Sequence, residues 1–556
     1  MGGRKKIRVG VLLDSLNVPA WIHAMLERIA HSGAAEIVVL IINQARLKNL
    51  HGTHPLKQRR GPKPLLYRLY WRLEDMLFRV DPDAFETKKL ESGFVDIPSI
   101  GVRPLTAGNV DRFSEVDIDA IGLFKPDVLL RLGFGIPCGR ILDIPRYGVW
   151  SCHVAREDLC RDGSAGFWEV IEKSRVTESS LRVLKKNPDP GTVLYRSYAS
   201  TDPLSVKRNR NYLYWKSASF IPRALEKLHA QGESFWERCR AAHGPALPSC
   251  SDRFPRSPGN LRSLYCILLL LSRYLRYRFS QRFFFDQWFL LFDLGKNLST
   301  TPETFKKMIP PRDRFWADPF IVSRNGSYHV FMEEYELLKR KGCLSVFDMD
   351  GNGLRSEPRK ILETPYHLSY PFVFQHKGEF FLIPESMANR TIELYRCVEF
   401  PDNWEFVRNL MEGVEAVDST LFFDRRRWWM FTTLVENRGG PPWDELFLFY
   451  ADDLFTNRWK PHPENPIVSD VRKARPAGRI FEHGGSLIRP AQDCSFRYGY
   501  AVVFNKILVL NEREYIEREM KTILPDRDRR VLGVHTFNRN GCLTMMDGCT
   551  LRCRPF

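Results

Sequence analysis

Apolar residues come in short unbroken runs in the first half of the chain and in alternating, turn-punctuated runs in the second. Ile7 to Leu13, Glu36 to Ile42, Pro126 to Leu132 and Tyr147 to His153 are β-rich segments with no polar alternation. Runs of that kind predict parallel strands buried on both faces. Between the first two, Trp21, Met25 and Ile29 recur at helical spacing. Strand and helix alternate, which predicts an α/β doubly wound domain over residues 1–200. Ligands of such sheets gather beyond the carboxyl ends of the strands. Residues 201–300 read as a helical, basic linker, with Tyr212–Lys216 and Ile221–Leu228 helical and Pro245–Pro258 a Pro/Ser-rich connection.

From residue 301 the pattern repeats. Ala317 to Glu334 aligns with Ser369 to Ser386 at an offset of 371 − 319 = 52 residues. A weaker copy begins at Val417, at 420 − 372 = 48. A fourth is read at Gly485 to Pro490 with Tyr498 to Phe504. Each copy is strand, Gly-type turn, strand. Repeats of that length built of short strands predict propeller blades, about five over residues 301–556.

Composition narrows the class. Hydrophobic residues are 44% and charged residues 27% of the 556, which describes a globular protein and excludes collagen, coiled coil and low-complexity chains. The charge is 83 − 66 = +17, so an anionic partner or surface is expected. No nucleic-acid-binding signature accompanies it, so nucleic acid is not expected as a partner. Residues 253–285 hold seven Arg and no Asp or Glu, interleaved with Leu264–Leu271 and Phe283–Phe285. Such a stretch suits peripheral contact with an anionic membrane; the alternative is a helix packed between domains with its arginines solvated. No run is long enough to span a bilayer, and no secretory signal is read, so the expected location is cytoplasmic. The twelve cysteines lack zinc-type pairing, and no metal site is expected.

His153 closes a strand at the carboxyl edge of the predicted sheet. Asp189 lies in the turn Asn187-Pro-Asp-Pro-Gly191. A carboxylate that orients an imidazole favours proton transfer. The order Ser151-Cys-His153, Arg161-Asp-Gly-Ser-Ala-Gly-Phe-Trp168, Asp189-Pro-Gly191 resembles the 10-formyltetrahydrofolate-dependent formyltransferase domain. The resemblance implies His153 as general base, Asp189 as its partner and Ser151 in place of the family's Asn as oxyanion donor. It implies folate contacts from Arg131, Gly133, Phe134, Gly135 and Ile136, and substrate contacts from Arg161 and Trp168. A Ser for an Asn departs from the family pattern, and loss of an oxyanion donor costs about 10²–10³ in rate.

In the repeats, Asp318, Tyr370 and Asp418 stand at matching first-strand positions, and Glu334 and Glu385 at second-strand ends. Propeller loops converge on a central funnel, so paired carboxylates there suit glycoside chemistry, with Phe315-Trp316 and Trp428-Trp429 as platforms for sugar faces. Alternatively these carboxylates cap turns and the aromatics fill the space between blades. The segments Phe315 to Phe320, Asn465 to Arg479 and Arg489 to Ser495 with Tyr498-Gly499 resemble five-bladed propellers of glycoside hydrolase family 43 and the N-terminal domain of glucosamine inositolphosphorylceramide transferases. That implies Asp318 as base, and Arg472, Arg475, Arg479, Arg489 and Asp493 among the sugar or anion contacts. Tyr370 departs from the hydrolase pattern, where an Asp would match.

The expected protein is a carbohydrate-modifying transferase. It passes a formyl or similar small acyl group to the amine of an amino sugar, nucleotide sugar or glycolipid, with the propeller holding the glycan. Two alternatives stand beside it. One is a propeller-based glycoside hydrolase or glycosyltransferase with a vestigial first domain. The other is a non-catalytic glycan binder at a membrane surface.

Overall fold

The computed structural model describes residues 4–47, 64–91, 93–108, 110–155, 165–185, 192–241, 258–351, 353–424, 426–436, 439–526, 528, 530–554. Two compact units divide the chain. One holds most of residues 1–271, the other most of 272–556.

The first unit is built on a seven-stranded sheet: β1 (Ile7–Leu13), β2 (Ala35–Asn43), β3 (Ser99–Val102), β4 (Val128–Arg131), β5 (Val149–Val154), β6 (Val176–Leu184) and β7 (Thr192–Ser200), in the order β7-β6-β5-β4-β1-β2-β3. The five strands from β3 to β5 are parallel, and β6 pairs antiparallel with β5. The apolar runs are buried because helices cover the sheet. Helix α1 (Ala20–His31) buries Trp21, Met25 and Ile29, the expected stripe. The strand order reverses between β1 and β4. There a Cβ on Gly133 would lie 2.5 Å from the backbone nitrogen of Asp14, so only glycine lets the two strand-end loops approach.

Helix α2 (Leu65–Leu77) and the pair α3 (Val206–Ser217) and α4 (Phe220–Gln231) belong to this unit. The helices expected over residues 201–300 are present, but those up to Leu271 are part of the first unit and not a linker. The reason is burial: α4 sinks Phe220, Ile221, Ala224, Leu225 and Leu228. The expected connection lies mostly outside the described residues.

The second unit is a five-bladed propeller. Blade 1 is Arg314–Arg324, Ser327–Glu336 and Lys341–Asp350, with outer pieces Gly353–Leu354 and Arg359–Leu362. Blade 2 is Ser369–His376, Glu379–Glu385, Thr391–Glu399 and Asn403–Glu412. Blade 3 is Ala416–Phe423, Trp428–Leu434, Leu446–Ala451 and Lys460–Pro461. Blade 4 is Phe481–His483, Ser486–Asp493, Ala501–Leu510 and Tyr515–Ile523. Blade 5 closes the ring. Its strands Phe537–Asn540 and Leu543–Cys553 are completed by Phe284–Leu294 and Lys306–Met308 from the start of the unit. Phe284–Leu294 and Leu543–Cys553 pair without a break from Phe284↔Cys553 to Leu294↔Leu543. The propeller therefore begins at Phe284, earlier than the repeat pattern indicated, because its first strands belong to the last blade. The fourth repeat is also displaced by one strand: Ser486–Asp493 is the second strand of its blade, and the short Phe481–His483 is the first.

Candidate functional site

The innermost strands of blades 1, 2 and 3 carry the same irregularity. Pairing slips between Ala317 and Phe320, between Ser369 and Phe372, and between Val417 and Thr420. At each slip one non-glycine residue adopts a left-handed backbone: Asp318 at φ 52°, Tyr370 at 44° and Asp418 at 53°. A bulge re-aims a side chain. Strain of this kind, held at three equivalent places, is characteristic of functional sites. Hydrogen bonds then link these residues around the ring. Tyr370 N donates to Asp318 Oδ2 (3.2 Å), Tyr370 OH bonds Thr420 Oγ1 (2.8 Å), and Gly478 N donates to Tyr370 OH (2.7 Å). Arg475 Nε donates to Asp418 Oδ2 (2.5 Å), and Gln492 Nε2 donates to the same oxygen (3.0 Å). Phe537 N donates to Ala477 O, and Asn538 Nδ2 to Pro319 O, which returns the circuit to blade 1.

Blade 5 supplies residues the sequence reading missed. Asp547 Oδ1 accepts from His535 N and Thr536 N, while Oδ2 accepts from Asp318 N. His535 Nδ1 is 2.6 Å from Asp547 Oδ2, and Nε2 is 3.8 Å from Asp318 Oδ1. Thr536 Oγ1 donates to Asp318 Oδ1 (2.6 Å). The imidazole stacks on Trp288 with ring centres 4.0 Å apart. Burial alone would push His535 down, but Asp547 and Asp318 raise it above the usual imidazole value. Burial opposes ionisation of Asp547 too, yet His535 holds it below the usual carboxylate range. Ligand atoms of Asp318, His535 and Asp547 lie within 4.8 Å of one another, a geometry able to take a cation. The donors arrayed around Asp547 already balance its charge. No sequence spacing pointed to this triad, since its members lie in two blades at opposite ends of the unit.

Two further carboxylates complete the set. Glu385 Oε2 accepts from Ser369 Oγ (2.9 Å) and Oε1 from Met387 N (2.8 Å). Burial pushes it up to about 7 against those hydrogen bonds. The residue of blade 1 equivalent to Glu385 is Glu333 and not Glu334, because Ala317 pairs with Glu333 as Ser369 pairs with Glu385. Strand alternation turns Glu334 the other way, onto Arg314 (2.7 Å) and Ser345 (2.7 Å). Burial raises Glu333 well above the usual range, with Asp318 and Glu385 adding to the effect. Asp318 is raised by burial in the same way. Five carboxylates (Asp318, Glu333, Glu385, Asp418, Asp547) thus share one buried region with two cations, Arg475 and His535. Burial raises Asp318, Glu333 and Glu385 above the usual carboxylate range, which favours their protonated forms.

Aromatic rings stand beside them. Tyr498, 38% exposed, lies over Arg475 (4.9 Å) and is flanked by Trp443 (6.0 Å) and Trp288 (6.2 Å). Phe315 stacks face to face on Tyr335 at 4.6 Å. Trp428 and Trp429, expected as sugar platforms, are buried in the packing between blades; Trp316 is buried as well. Arg489 does not reach the axis: it is fully buried and bonds both oxygens of Glu517 at 2.8 Å. Asp493 accepts from Ser495 N (2.8 Å) in a local turn, and Arg472 is held by Asp470. Arg479 donates to Val373 O and lies over Phe372.

In the first unit, Ser151 and His153 stand two residues apart on β5, on one side of the strand. Ser151 is buried and accepts from Arg131 Nη1 (3.0 Å). Arg131 Nε also donates to Phe134 O (3.1 Å) and Gly135 O (2.9 Å). Gly135 N donates to Asp111 Oδ2 (2.7 Å), and Phe134 is buried against Phe113. Arg131, Phe134 and Gly135 therefore take part in holding their own loop. Of the five residues expected there, Ile136 presents an exposed side chain. Trp168 is buried under the Arg262 guanidinium (4.2 Å). Asp189 and Arg161 lie outside the described residues.

The family model for the N-terminal region of glucosamine inositolphosphorylceramide transferase 1 matches residues 301–539. The chain is 34% identical over 209 residues to glucosamine inositolphosphorylceramide transferase 1 of Arabidopsis thaliana, covering 37% of this chain and 27% of that protein. The corresponding protein of Oryza sativa subsp. japonica is 34% identical over 206 residues, 36% of this chain and 27% of its own. The match thus spans about a quarter of the length of these relatives. Among solved structures, the chain is similar to the catalytic domain of the Coprinopsis cinerea GH62 α-L-arabinofuranosidase (14% identity, 46% of this chain, 95% of that one, TM-score 0.34). It is also similar to glycinamide ribonucleotide transformylase 1 from Symbiobacterium toebii (11%, 41% and 93%, TM-score 0.27). At those scores neither likeness decides the fold or the chemistry.

Proposed function

We propose that the chain takes part in carbohydrate modification, as a transferase or a part of one, and that the propeller axis is its saccharide site. The observation that carries the reading is the convergence of Asp318, Tyr370 and Asp418 at strained bulges of three successive blades, with further buried carboxylates and the exposed ring of Tyr498 beside them. Sugars stack on such rings, and their hydroxyls pair with carboxyl groups. Glu385, pushed up to about 7, suits proton donation to a leaving oxygen at neutral pH, and Asp318 suits proton acceptance. Similarity to transferases named for glucosamine and inositolphosphorylceramide supports an amino sugar or an inositol-phosphate glycolipid headgroup as the saccharide. Calorimetric titration of the full chain with glucosamine and with inositol-phosphate saccharides tests this. Binding that falls about tenfold or more in Tyr498→Ala and changes its pH dependence in Glu385→Gln is expected. No saccharide binding by folded protein, or binding indifferent to both variants, overturns the reading.

Formyl transfer by the first unit is a second reading. It rests on His153 and Ser151 sharing the carboxyl-end edge of β5. Calorimetry with a stable 10-formyltetrahydrofolate analogue, with His153→Ala as control, decides it: no binding at millimolar ligand removes folate chemistry from this protein.

A further inference from the structure

Helix α2 buries Tyr67, Tyr70 and Glu74 and turns its other face outward. That outer face carries Leu65 (67% exposed), Leu69 and Met76 (71% exposed), spaced four and seven residues apart on one helical stripe. Arg68, Arg72 and Arg79 are exposed beside them. A second helix, α5 (Asn260–Phe283), starts next to the start of α2: Asn260 Oδ1 accepts from Leu66 N (3.3 Å). The two helices thus meet at their starts. Helix α5 buries Ser263, Cys266, Ile267 and Leu270 and exposes Leu261 (87%), Leu264, Tyr265 and Leu268. The exposed stripe continues along the helix at Leu275 and Phe279, with Arg273, Arg276, Arg278 and Arg282 interleaved.

Large aliphatic side chains turned to water at helical spacing on two neighbouring helices call for a covering partner. Charge says which. Residues 253–285 contain no Asp or Glu. The outer face of α2 has one acid, Asp75, already paired with Lys207 (2.9 Å). Arginines around leucines and tyrosines match a surface that is anionic at its boundary and apolar just beneath. No helix among the described residues is long and apolar enough to cross a membrane, so the helices would lie in the plane of the interface.

We propose that this face, formed by α2 and the first half of α5, docks the protein on an anionic lipid bilayer. The leucines and Met76 enter the headgroup boundary, and the arginines meet lipid phosphates. The inference stands on these two helices and is independent of what the propeller binds.

The test is co-flotation of the full chain with vesicles of phosphatidylcholine alone and of equimolar phosphatidylcholine and phosphatidylglycerol. Binding to the anionic vesicles is expected. Arg72→Gln with Arg79→Gln removes two charges, each worth about 1 kcal/mol at such a surface, and is expected to weaken binding about 30-fold. Leu65→Ser with Leu261→Ser is expected to weaken it comparably, with unchanged thermal unfolding because both positions are exposed. A control, Arg513→Gln with Arg518→Gln on blade 4, removes the same charge elsewhere and is expected to bind as the unaltered protein does. Absence of binding to anionic vesicles overturns the proposal. So does equal loss in the control, which would assign binding to net charge alone. Retention in the leucine variant overturns it too, and with equally tight, arginine-dependent binding to duplex DNA would assign the face to nucleic acid.

Discussion

Glu385 is a buried carboxyl held by one hydroxyl and one backbone N–H. Its ordinary value near 4.5 is pushed to about 7. The folded state therefore binds a proton that the unfolded state has released between those two values. Stability falls as pH rises through that window. Glu385→Gln removes the titration. At pH 8 the variant is expected to be more stable than the unaltered protein, by up to about 3 kcal/mol, and at pH 4 the two should converge. Urea unfolding at both pH values checks the sign: equal stability at pH 8 would place Glu385 ionised in the fold. Tyr370 answers a different question at the same scale. Its hydroxyl occupies the axis between Thr420 and Gly478, where the hydrolase pattern would place a carboxylate. Tyr370→Phe leaves a buried N–H without its acceptor and should cost about 1–3 kcal/mol, again read from urea unfolding. The sequence showed both residues through their repeat offset. The same offset, 385 − 333 = 52, makes Glu333 and not Glu334 the partner of Glu385, and the strand pairing agrees.

At the scale of elements, helix α3 begins on a carboxylate from another helix. Glu74 Oε2 accepts from Ser205 Oγ (2.6 Å), and Oε1 accepts from Val206 N (3.0 Å) and Tyr70 OH (2.7 Å). The first amides of a helix lack internal partners, and an anion there is favoured by the helix dipole. Burial raises Glu74 above the usual carboxylate value despite these donors. Glu74→Ala should destabilise the first unit by about 2–3 kcal/mol. Hydrogen exchange should speed first in the amides of Val206 to Asn209. Unchanged exchange there would mean the capping bond is replaced by water. Nothing in the spacing of the sequence announced this bond, because its partners are 131 residues apart. Strands and helices with strong periodicity were legible; the bonds that tie one to another were not.

For the whole propeller, ring closure depends on the chain's last strand. Leu543–Cys553 lies between Phe537–Asn540 and Phe284–Leu294, and it supplies Asp547 to the axial site. Truncation before Leu543 should abolish cooperative unfolding of the propeller and expose its core to a hydrophobic dye. A truncated chain with an intact melting transition would show that the ring is held without its clasp. The same closure explains the misplaced start of this unit. Repeat detection finds copies of one unit, and the fifth blade is no copy. It is assembled from strands about 250 residues apart in the chain, so no local pattern marks it.

Hydrophobic periodicity alone determined the two architectures: unbroken β-rich runs for a sheet covered on both faces, and fifty-residue repeats for blades. Both follow from local rules that hold wherever a strand is buried. Composition also settled the basic, arginine-rich character of Asn260–Phe283. Only the tertiary structure decided which polar residues meet. Arg489 looked like a sugar contact and is spent on Glu517. Arg131, expected beside a cofactor, bonds its own loop and Ser151. His535 and Asp547, silent in the sequence, are brought beside Asp318 from the far end of the chain. A side chain's chemistry is written at its position, but its partner is fixed by a fold that joins positions hundreds of residues apart.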